Sequence, residues 1–127
     1  MKYLLDTHAI IWYMTQPHQL PLKVKEIIAD NSNKKYISSV SLWEIAIKAN
    51  LGKLDIGSHF DMFIGKIRNS DFVILQIEDE YLKRLAGLPS IHKDPFDRLL
   101  ITTTLVEELT IITADENVQK YDVPWIW

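Results

Sequence analysis

Short apolar runs alternate with longer stretches of helical period along this chain of 127 residues. Runs rich in Ile, Val and Tyr predict strands over Lys2 to Asp6, Lys35 to Ser39, Phe72 to Ile77, Thr110 to Thr113 and Val123 to Ile126. The periodic stretches predict helices over His8 to Met14, Leu22 to Ala29, Leu42 to Asn50, His59 to Arg68, Asp79 to Ala86 and Pro95 to Glu108, with a short one after Asp115. Gly52 and Gly87 stand where helices should stop. Strands separated by helices need crossover connections, which implies an α/β fold with a mainly parallel central sheet covered on both faces. No repeat, linker or low-complexity run divides the chain, so residues 1–127 are expected to form one domain.

Four carboxylates fall where these elements begin or end. Asp6 follows Tyr3-Leu4-Leu5, Glu44 lies in Ser-Val-Ser-Leu-Trp-Glu, Asp97 in His-Lys-Asp-Pro-Phe-Asp-Arg, and Asp115 follows Ile111-Ile112-Thr113-Ala114. Open α/β sheets bind ligands beyond the carboxyl ends of their strands, so acids gathered there suggest a divalent-cation site. Hard oxygen ligands without a thiolate favour Mg²⁺ or Mn²⁺.

Each acid also has a purely structural reading. Ser41-Leu-Trp-Glu44 matches a capping box, and Glu44 with Lys48 has the spacing of a helical ion pair. Its helix is apolar almost all the way round, which places Glu44 on the one polar stripe, facing a cleft. Asp94 reads as a helix N-cap, with Pro95 at the first helical position and Asp97 in the first turn. Asp97 heads an otherwise apolar row through Ile101 and Leu105, where a carboxylate needs a partner. Asp115 is a plausible N-cap for the residues after it, whereas for Asp6 the functional reading comes first.

Composition sets limits. Seventeen acidic and 14 basic residues give a net charge of −3, so nucleic-acid binding would need a local patch or a bound cation. There is no cysteine, and His8, His18, His59 and His92 lack the spacing of zinc motifs. No long apolar stretch opens the sequence, so neither a signal peptide nor a membrane span is expected, and a cytoplasmic location follows.

Four segments in series carry a family resemblance. Leu-Leu-Asp-Thr-His with Trp12, Ile-Ser-Ser-Val-Ser-Leu-Trp-Glu-Ile-Ala-Ile-Lys, His-Lys-Asp-Pro-Phe-Asp-Arg-Leu-Leu-Ile and Ile-Ile-Thr-Ala-Asp-Glu together resemble a PIN-domain ribonuclease, specifically the VapC-type toxin of a type II toxin-antitoxin pair. The resemblance spans the chain and implies a three-layer PIN-like fold, a Mg²⁺ or Mn²⁺ site and endonucleolytic cleavage of RNA. By position it makes Asp6, Glu44, Asp97 and Asp115 the catalytic, metal-binding acids, with Thr7 and Thr113 as the hydroxyl residues beside them; Asp94 supports the site as the cap of the helix that carries Asp97. It further implies a VapB-type antitoxin seated beside the site, operator DNA contacted only through that antitoxin, and a homodimer. The run Ile101-Thr102-Thr103-Thr104 departs from the small residues common there in the family, so helix packing near the site should differ.

On this reading the acids repel one another, and some of their pKa values should be raised until a cation binds. Lys48, Lys53, Lys93 and Arg98 are candidates for holding the RNA backbone. His8 and His92 flank the acidic motifs and are read as orienting neighbours rather than transferring protons. The four tryptophans are expected in core or interface positions, and the Pro-Trp-Ile-Trp end needs covering.

Rival readings remain. A phosphatase of the haloacid-dehalogenase kind needs a second Asp two residues after the first, where this chain has His8. A phosphoacceptor receiver needs an acidic pair at the first strand end, where Asp6 stands alone. A catalytically inert PIN-like binding domain is compatible with an intact quartet.

Overall fold

The computed structural model describes residues Met1 to Trp127 and follows the expected alternation. Strand β1 (Lys2–Leu5) leads into α1 (Thr7–Thr15), a 3₁₀ turn over Pro17–Gln19 and α2 (Leu22–Ala29). Next come β2 (Lys34–Ser38), α3 (Ser39–Asn50), α4 (Phe60–Arg68) and β3 (Val73–Leu75). The chain continues through α5 (Asp79–Ala86), α6 (Pro95–Val106), β4 (Thr110–Ile112), α7 (Glu116–Gln119) and β5 (Trp125–Ile126). No helix is long and apolar enough to cross a membrane.

All strand pairs are parallel, in the order β3-β2-β1-β4-β5. The chain therefore builds outward from β1 on one side and then crosses back to place β4 on the other. The crevice between the carboxyl ends of β1 and β4 is the point where strand order reverses, the usual ligand position in such sheets. Leu5 is level with Ile112, and the Asp6 amide donates to Ile112 O at 3.1 Å.

Alternation along the strands sorts side chains into two layers. Tyr3, Leu5, Ile37 and Ile112 face a core shared with α1 through α4, including Ile10, Val24, Ile45 and Phe63. Leu4 and Ile111 face the opposite core with Leu100 and Ile101 of α6 and with Val118 and Tyr121. The three threonines after Ile101 are buried, and their hydroxyls donate back to Leu99 O and Leu100 O at 2.8 to 3.1 Å. That internal bonding lets three polar side chains sit in a packed helix without an unpaired hydroxyl.

Two expectations need correction. Helix α3 starts at Ser39, capped by Ser38, whose Oγ accepts from the Val40 amide. Ser41 therefore lies inside the helix and the capping box with Glu44 does not form. Apart from Trp43 and Asn50, the residues of α3 are buried or half-buried, as its apolar composition implies; Trp43 is 59% exposed and rests edge-on against Phe96, with ring centroids 5.2 Å apart. Helix α6 ends two residues early, with Glu108 in the left-handed region (φ 55°) and Leu109 N reaching back to Thr104 O. The C-terminal Trp127 is covered by its own chain, packing on Trp12 of α1 at 5.6 Å, while Trp125 is half exposed.

Candidate metal centre

Asp6 terminates β1 at the topological switch point and is 4% exposed. It caps α1, with Oδ1 accepting from the Ala9 amide at 2.8 Å. The capping and functional readings thus coexist in one side chain. Burial raises its pKa to about 6, opposed by the Thr113 hydroxyl and the Ala9 amide, and the nearby charges of Asp115 and Glu44 raise it further.

Glu44 reaches the same region from α3. It is buried and accepts from Thr7 Oγ1 at 2.6 Å, while its other oxygen pairs with Lys48 Nζ. Thr7 Oγ1 also lies 3.1 Å from Ser41 Oγ, so a hydroxyl pair joins the first turn of α1 to α3. The Glu44–Lys48 spacing is that of an ordinary helical pair, yet only the lysine reaches solvent. Lys48 has a raised pKa, first through its bond to Glu44 and then through the charges of Glu44, Asp94 and Asp97, against the cost of its own burial.

Asp97 comes from the first turn of α6, where the helix dipole favours a negative charge. Asp94 caps that helix, its Oδ1 accepting from the Phe96 and Asp97 amides at 2.9 and 3.0 Å. Burial pushes the pKa of Asp97 to about 6, helped by the Asp94, Asp115 and Asp6 charges and opposed by His92. Raised acid pKa values are thus present as expected, but for both Asp6 and Asp97 desolvation outweighs mutual repulsion.

Asp115 lies beyond β4 and caps the short α7, accepting from the Asn117 amide at 2.7 Å. Its own amide donates to Thr113 Oγ1 at 3.0 Å. Asp6, Asp115, Ala114, His8 and Trp12 line a shallow cavity of ≈ 220 Å³ beyond the ends of β1 and β4. His8 stacks loosely on Trp12, with ring centroids 5.6 Å apart.

The four acids therefore share one region, each held by a protein donor. Asp6 is held by Ala9, Glu44 by Thr7 and Lys48, Asp97 by His92, and Asp115 by Asn117. No three His, Asp or Glu side chains stand close enough together to hold a metal ion as they are placed. The donor chemistry fits a hard divalent cation: all oxygen, largely buried, with two acids reluctant to ionise without a counter-charge.

Among the proposed backbone-binding cations, Lys53 and Lys93 are exposed. Arg98 is turned inward instead, donating to Pro89 O, Leu88 O and Tyr121 Oη at 2.8, 3.2 and 2.9 Å. Those bonds pin the 88–92 loop to α6 and leave Arg98 a structural clamp. Tyr121 is a site neighbour that no sequence pattern signalled, while Ser41, read from the sequence as a capping partner of Glu44, instead meets Thr7. The separation of 29 residues between Tyr121 and its partner His92 carries no local periodicity.

A PIN domain model matches residues 3–124. No curated protein matches the sequence. Among solved structures, VapBC2 from Rickettsia felis bound to a promoter DNA fragment is similar at 17% identity and a TM-score of 0.76, over 99% of this chain and 98% of that one. DNA-bound VapBC from Salmonella typhimurium is similar at 16% identity and a TM-score of 0.72, over 99% and 97%. FitAcB from Neisseria gonorrhoeae is similar at 19% identity and a TM-score of 0.69, over 98% and 96%. At these identities the likeness shows a shared fold.

Proposed function

The chain belongs to the PIN domain family, and from that premise we propose that it is a Mg²⁺- or Mn²⁺-dependent endoribonuclease, the VapC-type toxin of a type II toxin-antitoxin pair. The observation that carries this reading is the convergence of four acids at the switch point of the parallel sheet, with Asp6 and Asp97 held near pKa 6 by burial. Such acids are under-compensated on their own and favour a divalent counter-ion.

Asp6 and Asp97 would hold the principal ion, with Glu44 and Asp115 completing its shell. A bound Mg²⁺ or Mn²⁺ supplies electrophilic polarisation of a phosphate oxygen and a more acidic water. Thr7 aligns Glu44 through their 2.6 Å bond, and Asp94 aligns the first turn of α6 beneath Asp97. Lys48, beside Glu44 and near Asp94 and Asp97, offers a cation to an RNA phosphate once Glu44 turns toward an ion. Attack by water on the phosphodiester leaves a 5′-phosphate and a 3′-hydroxyl.

The partners follow from the same reading: an RNA substrate, a VapB-type antitoxin, operator DNA reached through the antitoxin, and a second copy of the chain. A cleft of ≈ 410 Å³ between the end of α3 and the start of α4, lined by Ala46, Ala49, Leu54, Ile56 and Phe60, suits an apolar antitoxin segment. A second reading, a PIN-shaped binding domain without turnover, is favoured by the absence of a ready-gathered set of three ligands.

The deciding experiment is incubation of antitoxin-free protein and its Asp6→Asn variant with total cellular RNA, with Mn²⁺ or with EDTA, mapping the fragment ends. Metal-dependent cuts at discrete sites with 5′-phosphates, lost in the variant, are expected. Folded, Mn²⁺-loaded protein that leaves RNA intact would establish the binding-domain reading instead.

A further inference from the structure

The loop before α6 and the chain after α7 meet at a four-residue network. Tyr121 Oη lies 2.9 Å from Arg98 Nη1, 3.2 Å from the His92 backbone amide and 2.8 Å from His92 Nδ1. His92 Nε2 lies 3.2 Å from Asp97 Oδ2. Tyr121 is buried and His92 and Asp97 are largely so.

Counting donors settles where the hydrogens go. A guanidinium N–H and a backbone amide only donate, so the phenol oxygen accepts from both. Its own hydrogen has two acceptors in reach: His92 Nδ1 at 2.8 Å and His92 O at 3.5 Å. The second sits at the limit of hydrogen bonding, so the hydrogen goes to Nδ1. A nitrogen that accepts carries no proton, and a neutral imidazole then bears its proton on the other nitrogen. That nitrogen, Nε2, is the one facing Asp97.

We propose that Tyr121 and Arg98 lock His92 in the Nε2–H tautomer, so that His92 is a positioning residue that donates to Asp97 Oδ2 and leaves Oδ1 for the ion. The role toward the ion rests on the reading of Asp97 as a ligand; the tautomer itself does not. No protein donor bonds Oδ1, so the network distinguishes two otherwise equivalent oxygens. Partners of this kind orient ligating side chains and change metal affinity when removed. Arg98 is tied at the same time to the carbonyls of Leu88 and Pro89, which fixes the loop that carries His92.

The test is a two-bond ¹⁵N–¹H imidazole correlation spectrum of metal-free protein at about pH 8, where an ordinary histidine is neutral. His92 is expected as the Nε2–H form, and Tyr121→Phe is expected to convert it to a mixture. An Nδ1–H or mixed form in the wild type, or a spectrum unchanged by Tyr121→Phe, overturns the proposal; the wild-type spectrum decides alone if the variant does not fold. In parallel, Mn²⁺ affinity is measured by electron paramagnetic resonance for His92→Phe and for His92→Gln, whose amide restores a donor near the Nε2 position. Phe should weaken binding roughly 10- to 100-fold, with most of the loss recovered by Gln. Unchanged affinity in His92→Phe overturns the positioning role. A wild type without Mn²⁺ affinity overturns the ion-site reading and His92's role toward the ion, while the spectrum still reports the tautomer.

Discussion

Thr7 Oγ1 donates to Glu44 Oε1 at 2.6 Å, joining the residue after Asp6 to a helix that begins more than thirty positions later. Both side chains are buried, so the bond aligns two elements of the proposed site and satisfies a charge that has little access to water. Thr7→Val, which keeps the shape and removes the donor, should destabilise the protein by about 1–3 kcal/mol. Thr7→Ser should recover most of that in urea unfolding. A Thr7→Val variant with wild-type stability would mean that Lys48 alone suffices for Glu44.

The raised acids make a signed prediction about pH. The pKa of Asp6 is about 6 in the fold against 3.8 ordinarily, so between those values the folded protein binds a proton that the unfolded chain does not. Stability contributed by this group therefore rises as pH falls from above 6 toward 4, and the penalty is full above 6. Asp6→Asn keeps the capping oxygen and removes the charge. It should raise stability at pH 8 by on the order of 3 kcal/mol, with the gain vanishing near pH 4. Thermal unfolding of metal-free protein across that range reads the difference directly.

Cation binding should reverse that penalty. Mn²⁺ should raise the melting temperature of the wild type more at pH 8 than at pH 5, because Asp6 and Asp97 must give up protons to bind it. Asp97→Asn should abolish most of the shift. A Mn²⁺-induced shift that is independent of pH would point to binding elsewhere on the protein.

Lys53 and Lys93 are exposed, whereas Arg98 is committed to the 88–92 loop. If the lysines contact RNA phosphates, each Lys→Ala change should weaken RNA binding and reduce the salt-dependence slope by about one contact. Arg98→Ala should instead lower stability by about 1–3 kcal/mol, because it leaves loop carbonyls without a donor and removes one of the two donors to the Tyr121 hydroxyl. Filter binding at several salt concentrations, beside urea unfolding, separates the two outcomes.

The C-terminal covering of Trp12 by Trp127 is also testable. Trp127→Ala should cost about 1–3 kcal/mol, less than loss of a fully buried aromatic, because Trp127 is only partly buried. A larger loss accompanied by aggregation would mean that the terminus also shields the apolar edge at Ile126.

Much of the architecture was legible in the sequence because it is written in local periodicity. The alternation of Tyr3, Leu4 and Leu5, the cap and proline at Asp94-Pro95, and the strand Thr110–Ile112 each depend on neighbours a few residues away. The placing of Asp6, Glu44, Asp97 and Asp115 at one end of the sheet was legible too, from the family resemblance and from their positions at element ends. The start of α3 is ambiguous in the sequence because Ser38 and Ser41 are equally good caps by residue type. The choice between them depends on where β2 ends against its neighbours.

Tertiary structure alone decided the contacts that reach the site from distant segments. Glu44 accepts from Thr7 across 37 residues, Arg98 donates to Tyr121 across 23, and His92 meets Tyr121 across 29. Hydrogen bonds between distant segments depend on the full packing of the sheet and its two helical layers, and no local pattern encodes them. The same holds for charge. A carboxylate near pKa 6 is a property of its burial, and burial exists only once the chain has folded.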